Sequence, residues 1–176
     1  VINIAQALQI RGWMSEPELY FLAEQAQKHK TIIEAGSYCG RSTRAMADNT
    51  DGIVHAIDPW DGQRQYYGNI VHQNGDNNIF NQFVCNLNGY IRSCKVVIYI
   101  SNFHNVHIDR PDMVFIDAIH EYTPLKRDIN HALKLMHGKG LLCGHDYSSG
   151  WPEVIEVVDE MFGKVNVCDS IWYVEL

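Results

Sequence analysis

Five short apolar runs in this 176-residue chain end in a polar side chain: Glu34, Asp58, Ser101, Asp117 and Asp146. The first is followed by Gly36 and Gly40, and then by Arg41-Ser42-Thr43, where a helix pattern begins. A strand, a glycine-bearing turn and a helix start let backbone come close to a bound molecule, and the Glu34 carboxylate adds an acceptor for hydroxyls. The competing reading of this turn is structural, with glycines needed only for its own dihedrals. Two later runs carry His120 beside Asp117 and His145 beside Asp146. Once brought together, two carboxylates and one or two imidazoles suit Mg²⁺ or Mn²⁺, with Asp117, His145 and Asp146 as the ligand set. Such an ion binds an acceptor hydroxyl and lowers its pKa. Without an ion, His120 is the candidate general base beside Asp117, since an imidazole titrates near pH ~6.5. A hydrogen-bonded cluster holding no metal is the plainer alternative.

These groups need elements that converge. Thr31, Ile32 and Ile33 form a β-branched apolar run of buried-strand type. Further strands are predicted at Ile53–Asp58, Lys95–Ser101, Asp112–Asp117 and Gly140–Asp146. Val165–Asp169 and Ile171–Leu176, separated by a short break, read as an antiparallel pair. Ser15-Glu16-Pro17-Glu18 is a capping box ahead of Leu19, Leu22, Ala23 and Ala26 at helical spacing. Other helices are predicted over Ser42–Asp48, from Thr123 to a stop at Gly138, and over Trp151–Met161. Val1–Met14 shows weaker helical spacing, so residues 1–30 read as an N-terminal helical segment. Strands that are apolar on both faces belong to a parallel sheet covered by helices. The fold class is therefore α/β, an open, mostly parallel sheet, and ligands bind beyond the C-terminal strand ends.

Length suits one domain spanning 1–176. Fourteen basic residues stand against 21 acidic, a net charge of -7, which argues against nucleic acid as a partner. There is no signal-peptide pattern and no run near the ~20 apolar residues of a membrane helix, so no membrane partner is expected. Five cysteines without C-x-x-C spacing point to reduced thiols in a cytoplasmic protein and away from zinc. Residues 63–94, rich in Asn, Gln, Tyr and Gly, read as a variable lid or substrate segment with one helix around Ile79–Leu87. Trp60, Tyr66, Tyr67, Tyr147 and Trp151 are candidates for an aromatic pocket or for simple packing.

The segments EAGSYCGRST, AIDPW, VFIDAIHEYTPLKRDI and GKGLLCGHDY, in that order, resemble class I S-adenosylmethionine-dependent methyltransferases. The nearest likeness is to the small-molecule O-methyltransferase branch of macrocin-type and cephalosporin-hydroxylase-like proteins. It runs from Thr31 to the C-terminus and is weak over 63–94. The resemblance implies a Rossmann-like seven-stranded sheet of order 3-2-1-4-5-7-6 with strand seven antiparallel. It also implies S-adenosylmethionine as cofactor and a small-molecule acceptor. Glu34, Gly36, Ser37, Tyr38, Gly40 and Ser42 then form the cofactor loop, with Tyr38 departing from the middle glycine of many members. Asp58 matches the acid that binds the ribose hydroxyls, and a carboxylate can accept from both. Ser101 and Asn102 fall where adenine is lined, and Asp117 and His145-Asp146 match acids of strands four and five. A nicotinamide-dependent oxidoreductase is the second reading, opposed by the glycine spacing and the terminal strand pair. A non-catalytic nucleoside-binding protein is the third, and a homo-oligomer is left open.

Overall fold

The computed structural model describes residues 1–61 and 79–176, so Tyr66, Tyr67 and the first half of the expected lid lie outside the described residues. Seven strands form one sheet: β1 (Thr31–Ala35), β2 (Ile53–Asp58), β3 (Val96–Ile100), β4 (Met113–Ile116), β5 (Leu141–Gly144), β6 (Asn166–Cys168) and β7 (Ile171–Glu175). Their order is β3-β2-β1-β4-β5-β7-β6. β1 to β5 are parallel to one another, and β7 runs antiparallel between β5 and β6.

The apolar runs become buried strands because side chains alternate across a sheet that is covered on both faces. Ile32, Val54, Met113, Phe115 and Leu141 face one core, packed by α1 (Glu16–Ala26), α2 (Arg41–Asn49) and α3 (Ile79–Arg92). Ile33, Ile57, Val114, Ile116 and Leu142 face the other, packed by α4 (Tyr122–Met136) and α5 (Pro152–Phe162). Phe83, Phe115 and Trp172 are fully buried, each worth about 1.5–3 kcal/mol of transfer free energy or more.

The expected capping box is present: Ser15 N donates to Glu18 Oε2 at 2.7 Å, and Glu18 N donates to Ser15 Oγ. The expected helix in Val1–Met14 is reduced to one 3₁₀ turn, Ala7–Gln9. Carbonyls that a helix there would use for its own ladder, those of Ala7, Leu8 and Ile10, instead accept from Arg41 Nη1. α4 ends with His137 in the left-handed region ahead of Gly138, so the stop is one residue earlier than expected. Among the described residues, no helix is long and apolar enough to cross a membrane.

β1 lies between β2 and β4. The chain leaves β1 toward β2 and β3, then returns to β4 on β1's other side. This reversal opens a crevice beyond the C-terminal ends of β1 and β4.

Candidate functional site

A cleft of about 380 Å³ occupies that crevice. The turn after β1 forms its floor. Gly36 has φ +91, and a Cβ there would lie 2.0 Å from the Asp117 carbonyl oxygen. Glycine is required because the ends of β1 and β4 touch backbone to backbone. Gly40 has φ +88, and its added Cβ would meet Leu87 Cδ2 at 2.3 Å. That glycine serves the packing of α3 and does not line the cleft.

Glu34, expected to meet a ligand, does not line the cleft either. The strand's alternation puts it on the same face as Ile32, beneath α2, where it is fully buried. Its carboxylate accepts from Ser37 Oγ at 2.6 Å, Ser42 Oγ at 2.5 Å and Thr43 Oγ1. Burial pushes the carboxyl up to about 7 against the pull of these hydroxyls. Glu34 thus binds hydroxyls of its own chain and holds the turn to the start of α2.

Asp58, at the end of β2, lines the cleft together with Ser37 and Tyr38. Its Oδ2 accepts from the backbone N–H groups of Ser37 at 3.0 Å and Tyr38 at 2.9 Å, and its Oδ1 from Trp60 N at 2.7 Å. Tyr38 and Trp60 both have positive φ, 46° and 44°, a strain of about 1–3 kcal/mol each. The Asp58 carboxylate offsets that strain. Burial raises its pKa, and the three N–H donors work the other way. A carboxylate has about four lone-pair sites, so one remains, on Oδ1, for a ligand hydroxyl. Ser101 and Asn102 do not line the cleft. β3 lies one strand further from the switch point, and Ser101 N instead donates to the Asp58 carbonyl.

The parallel pairing of β4 and β5 brings Asp117, His120, His145 and Asp146 together at the cleft. Asp146 has φ 62°, a third strained residue here. His120 Nε2 lies 2.7 Å from Asp146 Oδ2 and 3.9 Å from Asp117 Oδ1. The close contact with Asp146 is an ion pair whose geometry falls short of a regular hydrogen bond. Ligand atoms of Asp117, His120 and Asp146 lie within 4.8 Å of one another, which fits a metal ion.

The expected ligand His145 is placed differently. Its Nε2 is 3.1 Å from Glu18 Oε1, while Nδ1 is 3.3 Å from Asp146 Oδ2 and 3.5 Å from Asp117 Oδ1. Burial lowers its pKa, yet the three carboxylates push it up to about 12. Carboxylates face both His145 nitrogens, and the ligand atoms that converge are those of Asp117, His120 and Asp146, so His120 takes its place in the cluster. His120 is likewise raised, to about 9, with Asp117 and Asp146 overcoming burial. As an ion-free general base it would be protonated at neutral pH, contrary to the expectation from its ordinary pKa. Burial acts to raise Asp117 and Asp146, but the imidazoles hold both below the usual carboxylate range. Trp151 stacks on His120 at 4.2 Å. Trp60 and Trp151 line the cleft, and Tyr147 does not, its hydroxyl donating to Asp159 instead.

A family model described as a methyltransferase domain matches residues 33–147, the stretch carrying the turn, Asp58 and the acid–imidazole cluster. The chain belongs to this methyltransferase family. No curated protein matches it in sequence. Among solved structures, an O-methyltransferase from Bacillus cereus in complex with SAH is 17% identical, with a TM-score of 0.67, over 98% of this chain and 90% of that one. A SAM-dependent O-methyltransferase from Thermotoga maritima is 15% identical, TM-score 0.64, over 89% of this chain. The present chain spans 55% of that protein's length. An rRNA methylase from Streptococcus thermophilus, 14% identical, shares the fold with a TM-score of 0.62 over 93% of this chain and 98% of that one.

Two features of the methyltransferase cleft escaped the sequence reading. Glu18 from α1 reaches the cluster by accepting from His145, Ser170 N and Ser170 Oγ. Nothing in its local pattern exceeds a capping box. Gly12, Trp13 and Met14 also line the cleft, as does Arg41. Arg41 did carry a signal: a cation in the first turn of a helix opposes the helix dipole, so another interaction must hold it there.

Proposed function

We propose that this chain transfers a methyl group from S-adenosylmethionine to an oxygen of a small-molecule acceptor, assisted by a divalent cation. The observation that carries the reading is the meeting of Asp58 with Asp117, His120 and Asp146 on one cleft. S-adenosylmethionine supplies an activated methyl group and brings a ribose diol. Asp58 accepts from that diol, and the Gly36–Tyr38 turn lines the cleft beside it. Asp117, His120 and Asp146 would hold Mg²⁺ or Mn²⁺, which would supply a Lewis acid that lowers the pKa of an acceptor hydroxyl. Trp151 and Trp60 supply apolar walls that exclude water and orient the acceptor. Methyl transfer is a displacement at carbon, so positioning the nucleophile and removing its proton are the residues' main tasks.

A small acceptor is favoured over RNA by charge. Asp58, Asp61, Asp117 and Asp146 line the cleft, and Arg41 is its only arginine or lysine among the described residues. A phosphate backbone requires clustered cations instead.

Two titrations test the reading. Calorimetry should show S-adenosylhomocysteine binding that NAD does not displace. Electron paramagnetic resonance should show one Mn²⁺ per chain, lost in Asp146→Ala while S-adenosylhomocysteine still binds. Tight NAD binding with no response to the methionine nucleosides would overturn the cofactor assignment. Unchanged Mn²⁺ binding in Asp146→Ala would overturn the metal assignment, and methylation of RNA in place of small hydroxylated acceptors would overturn the acceptor class.

A further inference from the structure

Arg41 is the first residue of α2 and is half-buried at the cleft beside Ser42. Its Nε donates to the Met14 carbonyl at 3.0 Å, and its Nη1 to those of Leu8 at 3.1 Å, Ile10 at 2.7 Å and, at 3.5 Å, Ala7. One guanidinium therefore clamps residues 7–14 across the cleft. Gly12 makes room for it, since a Cβ there would lie 2.7 Å from Arg41 Cδ. Yet every hydrogen-bond partner is a neutral carbonyl. Among the described residues no carboxylate pairs with Arg41, and no acceptor engages its Nη2, whereas Arg44 on the same helix pairs with Asp48. A half-buried cation without a counter-charge, set in the first turn against the helix dipole, is costly until an anion arrives.

The cleft's own acids suit the ammonium of an incoming amino acid and repel its carboxylate. Arg41 is the one arginine or lysine among the described lining residues. We propose that Arg41 receives the carboxylate of the cofactor's amino-acid end, so that the clamp on residues 7–14 and recognition of the cofactor share one side chain. The inference rests on the S-adenosylmethionine reading above. Planar guanidinium–carboxylate pairing is strong and geometrically selective, so Arg41 discriminates the intact amino-acid end from a shortened one.

The test compares S-adenosylhomocysteine with its decarboxylated analogue, which keeps the adenosine, thioether and amine. The parent protein should bind S-adenosylhomocysteine roughly 10- to 100-fold more tightly, the scale of one charged hydrogen-bonded contact. Arg41→Gln can still donate to the strap carbonyls. It should bring S-adenosylhomocysteine down to the analogue's affinity and leave the analogue within about twofold of its parent value. An equal loss for both ligands would make Arg41 a structural clamp only and overturn the proposal, as would an unchanged preference. Failure of the parent to bind either ligand would instead remove the cofactor reading on which the proposal stands. The unmodified protein gives a second measurement that needs no stable variant. By NMR, the Arg41 Nε–H signal should move on adding S-adenosylhomocysteine and stay in place with the analogue. Equal movement with both would refute carboxylate contact.

Discussion

Gly36→Ala separates a glycine kept for the fold from a glycine kept for a ligand. The added Cβ would lie 2.0 Å from the Asp117 carbonyl oxygen, 2.5 Å from its carbon and 2.9 Å from Ala118 Cα. All three are backbone atoms, so no side chain can swing aside. The ends of β1 and β4 would have to part, straining the Asp117 N–H bond to the Ala35 carbonyl and the Gly36 N–H bond to the Ile57 carbonyl, both 2.8 Å. The φ of +91 adds about 1–3 kcal/mol for a residue with a Cβ. Overpacking adds roughly 1–3 kcal/mol, and the weakened hydrogen bonds about 1 kcal/mol. The expected loss is thus about 3–7 kcal/mol, a large share of the roughly 5–15 kcal/mol that holds a domain together. At this size about 2–4 °C of Tm is lost per kcal/mol, so Tm should fall by roughly 6–28 °C. Gly89→Ala is the control: its Cβ meets nothing within 4 Å, inside α3. It should be neutral or stabilising by up to about 1 kcal/mol. Thermal melts with S-adenosylhomocysteine titrations corrected for folded fraction provide both readouts. If Gly36→Ala melts like the parent and loses only affinity, the backbone-contact argument is wrong and the glycine is there for the ligand.

Asp58→Asn should weaken S-adenosylhomocysteine binding roughly 10- to 100-fold and lower Tm by a few degrees, because an amide nitrogen cannot accept from the N–H groups that Asp58 caps; parent-like affinity by calorimetry would remove Asp58 from the ribose site. For Glu34→Gln the readout is the pH dependence of Tm. A carboxyl raised from 4.5 to about 7 in the fold carries no penalty below its ordinary pKa and loses stability as pH rises toward 7. The parent should therefore lose Tm relative to Glu34→Gln between pH 5 and 7 (about 2.5 pKa units of linkage at most), and parallel curves would show that Glu34 is not raised. A chelator should abolish methylation of a true acceptor and added Mn²⁺ restore it, with persistence of activity in excess chelator excluding metal assistance.

Much of the sheet was legible because its strands are buried on both faces and so read as continuous apolar runs bounded by turn residues. The order of the strands came from the resemblance, not from periodicity. Val1–Met14 misled because helical spacing of Ile4, Ala7 and Leu8 cannot reveal that their neighbours' carbonyls are claimed by Arg41. Gly36 and Gly40 look alike in sequence, yet one meets the backbone of β4 and the other the side chains of α3. Glu34 and Asp58 both read as strand ends. In the fold β1 runs on to Ala35 and its alternation sends Glu34 under α2, while Asp58 lines the cleft as the last residue of β2. Ser101 follows β3, one strand further out, and does not line the cleft. Strand-end position nominates a residue, and sheet order with side-chain parity decides whether it meets the cleft.

The division of labour between the two histidines is the least local of these decisions. Sequence places His120 and His145 beside acids on neighbouring strands and offers no means of choosing between them. Glu18, 127 residues before His145, bears on the choice: its carboxylate lies 3.1 Å from His145 Nε2 and, with Asp117 and Asp146, favours the protonated ring. The resulting cluster has three carboxylates, Glu18, Asp117 and Asp146, against one committed imidazolium. If His120 is also protonated, one negative charge is left uncompensated in a largely enclosed site. A monovalent ion that displaced the His120 proton would leave the same deficit. A divalent ion that did so would bring the cluster to neutrality. Low-dielectric surroundings penalise uncompensated charge heavily, so on the metal reading proposed above a divalent ion suits Asp117, His120 and Asp146 better than Na⁺ or K⁺.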